Sequence, residues 1–262
     1  MNNYEHTIDN VREYVSHDEE MIKDVILLAG RILLESGAEG TRVEDTMSRI
    51  ASTLGYASSN SFVTNTVITF HLHKKTYPRV YRIKQRDTNL LKISQTNTIS
   101  RKIAEHKITL EEAKEALEHI YNNTRDYNLL YKTLASGVIA LSFLYLQGGS
   151  MVDLVATIIA GALGFFVTES SSKILDTQFI SEFCGSVVIA LCAVISHYFF
   201  PEGSIAVIII AAVMPIVPGV LITNAIQDLF GGHMLMFATK SLEALATSFA
   251  IGAGVATVLI LS

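Results

Sequence analysis

Residues 214–230 read MPIVPGVLITNAIQDLF, and set Pro215, Pro218, Gly219, Asn224, Gln227 and Asp228 at the end of a long apolar run. A proline has no backbone N–H to give and crowds the carbonyl one turn earlier, so two of them predict a broken helix whose freed carbonyls need other partners. Side-chain amides and a carboxylate just beyond such a break are the means by which membrane carriers present polar groups to a solute near the bilayer centre.

Other ionisable groups interrupt apolar stretches at Asp153, Glu182 and Glu243. Charge at membrane depth is costly and faces a cavity or a partner, but these residues and Asp228 lie within a turn or two of the ends of their stretches, where a side chain also reaches the interface. His197 is placed the same way. Far upstream, GAEGTRVEDT at 37–46 gathers Glu39, Arg42, Glu44 and Asp45 where a helix starts, and free amides beside Arg42 could hold an anion there. His71 and His73 share one face of a predicted strand, but two imidazoles without a third nearby ligand do not make a metal site. No phosphate-binding loop or dinucleotide glycine fingerprint occurs, so neither a cofactor nor ATP-driven work is expected.

The elements that carry these residues fall into two physically different halves. Residues 1–132 hold 18 of the 20 Lys and Arg and 18 of the 25 Asp and Glu, leaving 2 basic and 7 acidic residues for 133–262. A net charge of -5 with no basic stripe gives no footprint for nucleic acid. Cys184 and Cys192, eight apart in one helical run, are too far apart to bridge. The polar, acidic opening MNNYEHTIDNVREYVSHDEE does not resemble a signal peptide, so insertion is expected from internal segments.

Five stretches, about 129–147, 151–168, 179–200, 204–223 and 242–261, approach the roughly 20 residues that span a bilayer. Short separators predict antiparallel neighbours, with a longer one at 224–241. Small residues at Ala160 with Gly164, and at Gly252 with Ala256, have the spacing of close helix packing. With five spans, Lys132, Lys173 and Lys240 fall on one side with the N-terminal half, which the positive-inside rule makes cytoplasmic, leaving the C-terminus outside.

The first half, 1–128, reads as a cytoplasmic α+β domain, and 129–262 as the transmembrane domain. MIKDVILLAGRILLES at 21–36 is an amphipathic helix with Ile22, Ile26, Ala29 and Leu33 on one stripe, ended by Gly37. TRVE at 41–44 predicts a capping box ahead of a helix carrying Val43, Met47, Ile50 and Leu54, ended by Gly55. Residues 61–86 suggest two strands breaking near KKTYP, and TLEE at 109–112 caps a helix packing Leu110, Ala113, Leu117 and Ile120. The fold class is therefore a mainly α membrane protein, with a small α+β domain followed by a bundle of about five helices.

The segments LLESGAEGTRVEDTMSRIASTLG, SFVTNT, GGSMVD, ISEF and MPIVPGVLITNAIQDLFGG resemble the threonine/serine exporter family, from about residue 25 almost to the C-terminus. By length the chain is similar to the larger subunit of the bacterial two-component succinate exporter. That resemblance implies an inner-membrane location and a smaller membrane subunit of the same family or self-association, beside lipid and a small-molecule substrate. Carried over by motif, it implies roles for Gly37, Ala38, Glu39, Arg42, Glu44 and Asp45, and for Asp153, Glu182, Pro215, Pro218, Gly219, Asn224 and Asp228. The pattern departs at Gly40-Thr41, where the family implies a larger residue before the arginine, and at Asn65, where it implies proline after FVT.

The expectation is an exporter subunit for threonine, serine or a succinate-like dicarboxylate, working by alternating access on a gradient, with Asp228 or Glu182 coupling to protons. The competing readings are a membrane-anchored enzyme with a hydrolase-like N-terminal domain, for which no nucleophile and base at recognisable spacing speak, and a scaffold that stabilises a partner.

Overall fold

The computed structural model describes residues 2–73, 77–84, 86–124, 127–175 and 178–262, with side chains from residue 18. The first three residues of the predicted break at KKTYP, Arg125 and Asp126 just before the predicted domain boundary, and Asp176 and Thr177 in the separator before the third span lie outside the described residues. The protein is mainly helical, with one small sheet near its N-terminal end and four to five apolar spans after it. By contacts it forms two units, one of Met1–Arg125 with Thr223–Lys240, the other of Asp126–Ile222 with Ser241–Ser262.

In the first unit, helix α1 (Asn2–Glu35) buries the expected stripe of Ile22, Ile26, Ala29 and Leu33, with Val25 and Ile32 beside it. It packs on α2 (Gly40–Thr53), α3 (Leu90–Ala104) and α4 (Leu110–Asn123). Strands β1 (Asn60–Val63), β2 (Val67–His71) and β3 (Arg79–Arg82) form an antiparallel sheet in the order β1-β2-β3. Val63, Ile68 and Phe70 turn into the core, while Phe62, Thr69 and Val80 form a row across the other face.

Three details depart from the sequence reading. The two expected strands are three, because the chain turns at 64–66, where the Thr64 hydroxyl accepts from Val67 N at 3.1 Å. Helix α2 begins at Gly40 with Glu39 as its N-cap and no capping bond from that side chain, so the Thr41 box does not form; Glu44 turns instead to the sheet. Helix α3 had no apolar stripe to announce it, since Thr96 and Ser100 share its buried face with Ile93 and Ile103. Asn89 caps that helix, accepting from Lys92 N at 3.0 Å. The predicted box at Thr109 and Glu112 forms in full.

In the second unit, α5 (Leu129–Leu146), a 3-10 turn (Met151–Asp153) with α6 (Leu154–Leu175), and α7 (Gln178–Phe199) are candidate spans. Next come α8 (Ile205–Val213), a 3-10 turn (Met214–Ile216) and α9 (Gly219–Phe230), which together give one broken span bent by 63°, with α9 passing into the first unit at Thr223. Helix α10 (Met234–Leu261) is the last, belonging to the first unit as far as Lys240 and to the second from Ser241, so the expected separator at 224–241 is largely helical.

Backbones approach closely through small residues, as lipid-embedded packing requires. A methyl group on Gly185 of α7 would lie 2.8 Å from the Gly164 carbonyl of α6, and Ser136 of α5 donates to the Gly161 carbonyl at 3.2 Å. The predicted pair of Ala160 and Gly164 is part of this packing. Gly252 and Ala256 are not: both are exposed, and it is Gly254 that meets α7, where an added methyl would be 2.6 Å from the Phe183 carbonyl.

Candidate functional site

The most densely constrained polar cluster lies in the first unit and begins where α1 ends. Gly37 takes a φ of +84°, and its N–H and that of Ala38 reach back to the carbonyls of Leu34 and Leu33 at 3.2 and 3.0 Å. This is the paired closure that a glycine in the left-handed region permits. The chain then enters α2 with its first amides exposed in principle and no local side chain to satisfy them.

Asp228 supplies what α2 lacks. Its Oδ1 accepts from Gly40 N at 2.7 Å, setting a carboxylate at the positive end of the helix dipole. Its Oδ2 accepts from Lys240 Nζ at 2.6 Å, and that ammonium also lies 3.4 Å from the Ala38 carbonyl. Asp228 is fully buried and Lys240 is 3% exposed, so the pair sits away from water. One helical turn before Asp228, Asn224 Nδ2 donates to the Gly37 carbonyl at 2.6 Å. The four-residue turn 37–40 is thus gripped by side chains 187 or more positions away at Asn224, Asp228 and Lys240.

A second close of the same kind positions these grips. Helix α9 ends as Gly232 takes a φ of +81°, with Gly232 N donating to Leu229 O at 3.2 Å and His233 N to Asp228 O at 2.8 Å. Two glycines of the cluster leave no room for a side chain: a methyl on Gly40 would stand 2.6 Å from Met236 Sδ, and one on Gly231 would strike the Thr41 hydroxyl. Met236 itself belongs to the hydrophobic core of this unit.

Around this buried pair lies a wetter layer. Glu44 Oε1 accepts from Val63 N at 3.0 Å, and Oε2 lies 3.6 Å from His233 Nε2. Burial pushes the Glu44 carboxyl above the usual carboxylate range, against the pull of the Val63 N–H and of His233. Asn65 donates to the Thr239 hydroxyl, a bond that a proline at that position could not make. Arg42 and Glu39 pair at 2.6 Å on the exposed side, and Asp45 is exposed.

The remaining predicted residues belong to the second unit. Asp153 is 2% exposed and accepts from Ser204 N at 3.1 Å and from the Ser150 hydroxyl at 3.4 Å, so it fixes the loop that starts α8. His197 meets the Gly203 carbonyl of that loop at 3.0 Å. Glu182 is half-buried on α7, with Oε2 shut off from water and without a hydrogen-bond partner. Pro215 lies in the 3-10 turn, and Pro218 directly precedes Gly219, the first residue of α9.

Gly37, Ala38, Glu44, Asn224 and Asp228, drawn from the two ends of the sequence reading, are therefore brought together, whereas Asp153, Glu182, Pro215 and Pro218 are not part of that cluster. Sequence reasoning missed Lys240, His233, Gly40 and Met236. Lys240 carried one legible sign, a lone cation beside the apolar stretch that opens at Leu242, but nothing in sequence spacing names its partner.

A chain with four apolar spanning helices, a fifth span broken and bent, and a small α+β unit is a multi-pass membrane protein. It belongs to the threonine/serine exporter family: the family model described as "Putative threonine/serine exporter" matches residues 24–262. No curated protein and no solved structure matches the chain.

Proposed function

We propose that the protein is an exporter subunit that moves a small carboxylate-bearing metabolite, threonine, serine or a succinate-like dicarboxylate, by alternating access on an ion gradient. The observation that carries this reading is the broken span. Pro215 and Pro218 cannot donate to the carbonyls of Ala211 and Met214, and the chain bends by 63° where they stand. Freed carbonyls inside a membrane bundle are available to a polar solute.

Of the two carboxylates offered for coupling, Glu182 suits the role better. An oxygen shut off from water with no partner can gain a proton without breaking an existing bond, whereas Asp228 is already committed to Lys240 and Gly40. Asp228, Asn224 and Lys240 then act as positioning residues, holding Thr223–Lys240 to the 37–40 turn in the first unit. Lys132, Lys173 and Lys240 mark the cytoplasmic side, in an inner membrane of bacterial type. Five spans are few for a whole translocation path, so a smaller membrane subunit or a second copy completes it.

Efflux from cells tests this. Cells preloaded with labelled threonine, serine or succinate should lose one of them faster when the chain is produced together with its small partner. Equal loss of all three with and without the chain refutes the exporter reading.

A further inference from the structure

The outer face of the sheet in the first unit has no assigned role. Phe62 is 58% exposed and Val80 67% exposed, and the register places both opposite Thr69, so they flank one another across the sheet. Toward the 64–66 turn the same face adds Arg82, paired in register with Val67, and Lys84 follows in the strand's exit; both are exposed. The strand is tied at that end, since Ile83 N donates to Thr66 O at 2.8 Å. Neither cation has an acidic partner among the ion pairs of the described residues, in contrast to Arg79, which is held by Glu20 and by Asp24 at 2.6 Å.

Asn65 is hydrogen-bonded to Thr239 on α10, and the apolar stretch of that helix opens at Leu242, three residues further on. An aromatic ring and a branched aliphatic side chain beside two lysine or arginine heads is the pattern of a surface that lies against lipid headgroups, with the ring in the interface and the cations on phosphates.

We infer that the Phe62, Val80, Arg82 and Lys84 face of the sheet is a docking surface for an anionic lipid bilayer. Each cation near an acidic surface favours contact roughly fivefold at ordinary salt, so the two together bias the unit toward the membrane by more than tenfold. The occupant is lipid rather than a protein because the charge is of one sign, opposite to that of an acidic membrane surface, and the same chain carries the spans that hold it in a bilayer. The inference rests on the chain being membrane-embedded, not on which solute it carries.

The chain contains no tryptophan, so a single introduced indole reports without background. The full-length F62W chain, with V80W as an independent second reporter, is reconstituted into vesicles of phosphatidylcholine with or without phosphatidylglycerol, containing lipids brominated near the headgroup. In anionic vesicles both indoles should be quenched by the brominated lipid and shielded from acrylamide. Quenching should weaken roughly tenfold in R82E/K84E and fall at high salt. Indoles open to acrylamide and untouched by brominated lipid overturn the inference. Indoles shielded from acrylamide yet not quenched by lipid also overturn it, showing a protein surface in place of the bilayer. Failed transport with intact quenching would instead count against the exporter reading alone.

Discussion

Asp228 and Lys240, twelve residues apart on either side of a glycine turn, close a fully buried ion pair at 2.6 Å whose other carboxylate oxygen caps α2. Two charges taken out of water cost several kcal/mol each, which their attraction offsets only when hydrogen bonding is complete, as it is here through Gly40 and Ala38. Removing one partner is the expensive change. Lys240→Met should destabilise the protein by about 3–5 kcal/mol, and D228N by a smaller amount, because the amide can still accept from Gly40. The double variant D228L/K240M should recover part of the loss. Thermal or denaturant unfolding in detergent reads all three, and additive losses in the double variant would contradict the pair.

Gly40→Ala tests the tightness of the same junction. The added methyl meets Met236 Sδ at 2.6 Å, below any ordinary contact, and the His233 ring at 3.2 Å. Overpacking of this kind costs about 1–3 kcal/mol. G40A/M236A should be more stable than G40A alone, since the obstructing side chain has then been removed; unchanged unfolding of G40A would refute the packing.

Glu44 sets a pH dependence whose sign follows from burial. Its carboxyl is raised from the ordinary value of 4.5, so across the interval between 4.5 and the folded value the folded chain binds more protons than the unfolded one. The contribution to stability is therefore complete below 4.5 and is lost as pH rises through the folded value. In E44Q that decline should flatten, while the acceptor for Val63 N is kept. Parallel curves of unfolding free energy against pH for the two proteins would contradict it.

How much of this could be read from the chain depends on what each feature needs. The stripe on α1 and the spans follow from hydrophobic spacing, and the Thr109 box from local chemistry, so all were legible. The break at Pro215 and Pro218 was legible for the same reason, because proline acts on its own turn. Helix α3 was hidden by Thr96 and Ser100 on its buried face, and the Thr41 box failed because a carboxylate 188 positions away takes the amide of Gly40. Nothing local distinguishes Asp228 as a cap for a distant helix from Asp228 as a solute-facing group; the partner has to be seen. The small-residue stripe erred by two positions, Gly254 for Gly252, because spacing gives a period without saying which face meets a neighbour.

Glu182→Gln separates coupling from architecture. The substitution keeps shape and removes the titrating group, so the protein should insert and assemble as before while gradient-driven flux falls at least about a hundredfold, the scale of losing one general acid or base. Exchange of solute for solute, which needs no net proton movement, should persist. Flux that survives unchanged would remove Glu182 from the account.

Counterflow with the purified chain, alone and with a small membrane partner, in proteoliposomes preloaded with threonine, serine or succinate and given labelled solute outside, tests whether the protein is an exporter subunit. Transient uptake of one of these solutes is expected from the complete assembly, with its loss when the 37–40 turn and the 223–240 segment are uncoupled by K240M. Labelled solute that never accumulates in any combination, in vesicles where both proteins are folded and inserted, would contradict it.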